Sequence, residues 1–137
     1  MKGVRLITIP TFFDSRGQIC IAEQPEEIPF EIKRIFWISG VPENQTRASH
    51  AHKKQSQFLV AVAGSFKVKL DNGHMLTEFN LDSPSTGLLV PSGIWITLTD
   101  FSKEAVCLVA SPEIYEETEY LKEYDKFLEW KKALKEF

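Results

Sequence analysis

Two of the chain's three histidines, His50 and His52, stand at positions i and i+2 with only Ala51 between them. On a β-strand that spacing projects both imidazoles from one face. Imidazole titrates near physiological pH, so a pair facing one way is suited to taking up and returning protons. Arg47 precedes the pair, and Lys53 and Lys54 follow it, so an anionic ligand would meet local cations here. The alternative is a pair of interior rings with no chemical task. Burying polar rings beside an arginine is costly unless they bind something, which favours chemistry. Lys54 reads as a solvated turn residue, His74 as a surface residue of the Asn72-Gly73 turn, and Arg16 as a loop cation. Gln57 opens a buried strand, but parity along an unbroken strand would set it on the face opposite the histidines. A bend or bulge is required if Gln57 is to join them.

At 137 residues the chain reads as one domain, 1–137, able to bury a core without disulfide or metal staples. A net charge of −3 and a pI of about 5.6 argue against a nucleic-acid partner. Cys20 and Cys107 are far apart in sequence, which gives no disulfide framework or zinc motif. The N-terminus lacks the apolar run of a secretion signal, and no stretch approaches a membrane span. A cytoplasmic protein is the expectation.

The elements that must position the histidines are short and regular. Val4 to Ile9 alternates towards a strand, Asp14-Ser15-Arg16-Gly17 turns into Gln18 to Ala22, and Pro29 opens a strand through Ile38. Gln57 to Ala63 and Ser65 to Leu70 flank the turn glycine Gly64, and alternation turns Phe66, Val68 and Leu70 towards a core. Gly87 to Pro91 and Ala105 to Ala110 are nearly continuous apolar runs suited to buried strands. The expected class is all-β, a jelly-roll barrel. From about Ser111-Pro112 the pattern predicts a C-terminal α-helix, with acids early and Lys131, Lys132 and Lys135 late. Tyr120, Leu121, Tyr124, Phe127, Leu128 and Leu134 then form a packing stripe.

His50-Ala51-His52, Gln57 after four residues, Gly64 after six more, and Pro91-Ser92-Gly93-Ile94-Trp95-Ile96 together resemble the metal-binding pattern of the cupin superfamily. That pattern has Glu at the position of Gln57 and His at that of Ile96, so two of its ligands are missing here. A neutral amide is a poor exchange for a carboxylate, and an alkyl group has no lone pair.

A closer resemblance runs in collinear order over nearly the whole chain. Arg47-Ala48-Ser49-His50-Ala51-His52-Lys53-Lys54, Ala63 to Gly73, Asp14 to Gly17, Leu81 to Pro84, Gly87 to Pro91 with Trp95, and Tyr115 to Tyr120 resemble the nucleotide-sugar 3,4-ketoisomerases related to the WxcM-like proteins. The resemblance implies a small cupin jelly-roll homodimer, often with N-terminal strands exchanged. It also implies a dTDP-linked 4-keto-6-deoxyhexose as substrate and neither metal nor other cofactor. The implied reaction moves the carbonyl from C4 to C3 through an enediol, in deoxyamino-sugar and polysaccharide biosynthesis. On this basis His52 is expected to be the main acid/base and His50 its partner, and Arg47 to hold an enediolate or phosphate oxygen. Arg16 is expected to contact the diphosphate, and Gln57, Trp37 and Trp95 complete the substrate-binding set.

Three departures from the family stand out. Ala48 replaces a usual glycine, Phe36-Trp37 occupies a strand that often carries tyrosines, and Ile96-Thr97 replaces His or another polar residue. Thr97, Ser49 or a water are the candidates to supply the lost hydroxyl. These departures leave open a cupin that binds nucleotide sugars without turnover. A metal-dependent cupin with a reduced ligand set is the reading the donor chemistry favours least.

Overall fold

The computed structural model describes residues 1–135. In chain order the strands are β1 (Arg5–Thr8), β2 (Thr11–Asp14), β3 (Gly17–Cys20), β4 (Arg34–Ser39), β5 (Arg47–His52) and β6 (Gln57–Ala63). They continue as β7 (Phe66–Asp71), β8 (Leu76–Leu81), β9 (Thr86–Val90), β10 (Trp95–Thr99), β11 (Val106–Ser111) and β12 (Tyr120–Leu121). A 3-10 turn (Glu117–Glu119) precedes β12, and α1 (Tyr124–Lys135) closes the chain.

Two five-stranded antiparallel sheets, ordered β1-β9-β6-β11-β4 and β12-β5-β10-β7-β8, form the jelly roll, and β2 and β3 make a separate hairpin. Side chains from the two inner faces share one core: Leu59, Leu88 and Val109 from the first sheet meet Phe66, Val68, Leu70 and Leu98 from the second. The strict alternation of β7 is realised, with Phe66, Val68 and Leu70 at 1%, 0% and 1% exposure. The apolar runs of β6 and β11 have a different cause. Their outer face is also covered, through Phe58, Val60 and Ala110 packed with Ile9 and Ile28. Gly64 is required between β6 and β7: at φ +62° a Cβ would lie 2.7 Å from the Ala105 Cα.

The C-terminal helix begins at Tyr124, not near residue 112 as the sequence pattern predicts. Tertiary partners outcompete helical propensity over the intervening segment. The Ser111 hydroxyl donates to Gln55 Oε1 at 2.8 Å instead of capping a helix, and Tyr120 and Leu121 pair as a strand with His52 and Ala51. The expected stripe therefore divides. Phe127, fully buried, and Tyr124 pack against Trp95 on the outer face of the second sheet, whereas Tyr120 turns to the histidines. No helix among the described residues is long and apolar enough to cross a membrane.

Candidate active site

The histidines lie on β5, whose entry is bent. Ala48 and Ser49 both have left-handed backbones, φ 68° and 58°. The β10 pairing shifts there, with Thr97 opposite Ala48 and Ile96 opposite His50, so Ser49 is left without a partner. This bulge leaves Arg47 exposed at the rim while His50 faces the barrel interior. The parity problem with Gln57 resolves because the strand does not run on. Residues 53–56 carry the chain from one sheet to the other, and Gln57 reaches the same interior from the opposite wall.

That turn is held by Glu119. Its Oε1 accepts the backbone N–H of Gln55 at 2.9 Å and that of Lys54, and its carbonyl accepts that of Lys53 at 3.0 Å. Lys54 is exposed, as expected of a turn residue.

Between the sheets lies a cavity of about 400 Å3 bordered by Phe36, Trp37, Arg47, His50, Gln57, Ile96 and Tyr120. A second space of about 500 Å3 adjoins it, sharing Trp37, Ile38, Thr46 and Arg47 and extending along residues 39–42 to Gln45. The site is thus an inner chamber opening past Trp37 and Arg47 into an outer groove.

The two imidazoles are edge to face, with centroids 5.0 Å apart and planes at 88°. Tyr120 packs on both, at 4.9 Å from His50 and 4.4 Å from His52. His50 borders the chamber, while His52 is only 2% exposed behind it, with neither ring nitrogen bonded within the protein. Burial pushes His52 down to about 3, helped by His50 and Arg34. Burial also lowers His50, opposed by a hydrogen bond to the Ala48 backbone. Both rings are therefore neutral near pH 7, and a proton on one disfavours a proton on the other.

Arg34 ties the base of the site together. Its Nη2 donates to Tyr120 Oη at 3.2 Å and reaches Gln55 Oε1 at 3.4 Å and Ser111 Oγ at 3.5 Å. The guanidinium lies over the Phe36 ring at 5.2 Å and the Tyr115 ring at 5.6 Å. Its buried Nε has no protein partner, and neither does Nε2 of the buried Gln57.

Not every expected site residue converges. Arg47, His50, His52, Gln57 and Trp37 do. Trp95 does not: it faces away from the chamber and packs against Tyr124 at 5.4 Å and Phe127 at 5.7 Å. Alternation along β10 is the reason, because Ile96 takes the inward position opposite His50. Thr97 faces the same outer groove as Trp95 and supplies no hydroxyl to the histidines. Arg16 sits at the tip of the β2–β3 hairpin, 88% exposed and paired with Asp14 at 2.5 Å, apart from the chamber of its own chain. Sequence reasoning missed Arg34 and Tyr120. Tyr120 lay within a motif shared with the ketoisomerases, but its helical spacing concealed it.

The cupin metal set does not fit here. Two imidazoles edge to face, the amide of Gln57 and the alkyl side chain of Ile96 offer neither a carboxylate nor a third nitrogen. Among the described residues no three His, Cys, Asp or Glu side chains gather as a metal site.

Residues 2–132 match the FdtA family, described as WxcM-like, C-terminal. The chain is 40% identical over 123 residues to the TDP-4-oxo-6-deoxy-alpha-D-glucose-3,4-oxoisomerase of Aneurinibacillus thermoaerophilus, covering 90% of this chain and 88% of that one. It superposes with a TM-score of 0.94 and 33% identity on a histidine-to-asparagine mutant of the 3,4-ketoisomerase QdtA from Thermoanaerobacterium thermosaccharolyticum, solved with TDP-4-keto-6-deoxyglucose. That match covers 97% of this chain and 96% of the other. The TDP-quinovose 3,4-ketoisomerase WlaRB from Campylobacter jejuni matches with a TM-score of 0.89 and 32% identity, over 94% and 99% of the two chains. With a family match over nearly its full length, a jelly roll in common and a paired-histidine chamber, this chain belongs to the FdtA family of WxcM-like proteins.

Proposed function

We propose that the protein is a metal-independent 3,4-ketoisomerase acting on a dTDP-linked 4-keto-6-deoxyhexose. The observation that carries this reading is the chamber itself: a sugar-sized space whose wall presents a neutral imidazole, with a cation at its mouth. The hexose occupies the inner chamber. Arg47, where chamber and groove meet, holds the diphosphate, and Trp37, 66% exposed at the same rim, offers a stacking face to the base.

The C4 ketone acidifies the C3 proton. A neutral imidazole removes it, the enediol forms, and the same group returns the proton to C4. This reading takes His50, not His52, as the group nearer the sugar, an order supported by their difference in burial. His50 borders the chamber and is the group that meets the sugar; His52 backs it, and burial, with the charges of Lys122 and Arg34, keeps His50 free to accept. The imidazolium formed in the reaction is favoured by the anionic charge of the bound diphosphate and enediolate.

The reading includes a homodimer in the cytoplasm. Phe12, Phe13 and Ile19 on the β2–β3 hairpin are 60%, 76% and 64% exposed, a large apolar surface for a hairpin that pairs only with itself. Exchange of the hairpin onto a second copy would cover this apolar surface, and in that arrangement Arg16 is offered to the partner's diphosphate. Sedimentation of the wild type and of Phe13→Glu tests the dimer.

The central experiment is deuterium uptake at C3 and C4 of dTDP-4-keto-6-deoxyglucose in D2O, followed by NMR with and without chelator. Chelator-insensitive uptake at both carbons, lost in His50→Ala, supports the isomerase. Binding without uptake in wild type would turn the reading to a non-catalytic nucleotide-sugar module, which Phe36 and Ile96 favour.

A further inference from the structure

Proton traffic at carbon needs a matching device at oxygen. As C3–H is removed, the C4=O electron pair moves onto O4, and an unprotonated enediolate is high in energy. The reaction also requires a proton to leave O3 when the new carbonyl forms. Of the side chains lining the chamber, Phe36 and Ile96 carry no group able to donate or accept that proton.

One hydroxyl-bearing ring stands against both histidines. Tyr120 borders the chamber, and its backbone pairs with His52. Its oxygen accepts from Arg34 Nη2 at 3.2 Å, which leaves the phenolic proton free to be donated elsewhere. Arg34 is held for this task by Gln55 and Ser111, and Gln55 by Glu119. The unpartnered Nε of the same guanidinium provides a further donor at the base of the site. The guanidinium that meets the phenol is half-buried under two aromatic rings, which fixes its position.

We infer that Tyr120, backed by Arg34, is the oxygen-side acid/base of this site and replaces the strand hydroxyl that Phe36 cannot supply. The inference rests on the ketoisomerase reading. In the first half-reaction the histidine takes the proton from C3, the C3–H electrons form the C3=C4 bond, and the Tyr120 hydroxyl gives its proton to O4. In the second, the phenolate takes the proton from the C3 hydroxyl, C3=O forms, and the histidine returns its proton to C4. The two oxygens are vicinal, so one phenol serves both, and both groups end as they began.

The test is Tyr120→Phe, which keeps the ring against the histidines and removes only the oxygen. Expected are a kcat lower by ~100-fold, a KM and TDP affinity within about twofold, and recovery of at least tenfold in Phe36→Tyr/Tyr120→Phe. Arg34→Lys should lower kcat in the same direction while TDP still binds. Tyr120→Phe at wild-type kcat overturns the inference alone. So does a loss of activity that travels with TDP affinity and is not recovered by Phe36→Tyr, the mark of a packing role. Wild type silent on the sugar would instead overturn the isomerase reading and this inference with it.

Discussion

Tyr120 pairs with His52 across β12 and β5, backbone to backbone, with their ring centroids 4.4 Å apart. A two-residue strand thus seals the inner end of the site and helps bury His52. An imidazole buried without a hydrogen-bond partner is held neutral, and this has a consequence for stability.

His52 is lowered from 6.5 to about 3 in the folded chain. Above pH 6.5 the ring is neutral folded and unfolded, and stability is complete. Between 6.5 and 3 the unfolded chain binds a proton that the folded chain refuses, so stability falls as pH falls through that window. His50, also lowered by burial, acts with the same sign. Urea unfolding should show a loss of about 2 kcal/mol between pH 7.5 and pH 5 from His52. His52→Asn should flatten that dependence; an unchanged slope would mean that His52 is not the titrating group.

Arg47 stands at the rim, outside the histidine cluster, and the proposed function gives it a binding role. Arg47→Ala should raise the KM for the nucleotide sugar and the Kd for TDP together, by roughly 10- to 100-fold for one charged hydrogen-bonded contact. kcat should change far less. Titration calorimetry with TDP alone reads this directly, and a fall in kcat at unchanged TDP affinity would move Arg47 into the chemistry.

Ala48 adopts φ 68°, a conformation in which its Cβ is strained and glycine is not. Ala48→Gly should therefore stabilise the protein by about 1 kcal/mol, raising Tm by about 4 °C. A lower Tm would show that the Ala48 methyl, which packs against the main core, contributes more than the backbone strain removes.

Glu119 is 7% exposed and accepts two backbone N–H groups of the turn between β5 and β6. Glu119→Ala should destabilise by about 3 kcal/mol, because it orphans both donors. Glu119→Gln, which keeps one acceptor oxygen, should cost less. Thermal melts of the two variants separate the outcomes, and equal Tm values would show that water satisfies the turn without a side chain.

The barrel was legible because its signals are local. Alternation in Phe66 to Leu70, a glycine at the Gly64 turn and apolar runs at β9 and β11 each follow from the geometry of a short stretch of chain. The histidine pair was legible for the same reason, since i and i+2 on a strand share a face wherever that strand lies. What decided the rest was contact between distant residues. Trp95 and Ile96 are neighbours in sequence, and only the pairing of β10 with β5 sends one to the helix and the other to the chamber. Gln57 reached the histidines by crossing to the other sheet, which no parity count along one strand can show. Tyr120 carried helical spacing, yet its oxygen is fixed by Arg34, 86 residues away, and its backbone by His52. The sequence by itself determined the central barrel strands such as β6, β7, β9 and β11, the core face and the paired imidazoles, because backbone geometry and burial act over a few residues. Only the tertiary structure decided which histidine lines the chamber and which is buried behind it, and which hydroxyl stands beside them, because long-range pairing and desolvation act only in the folded chain.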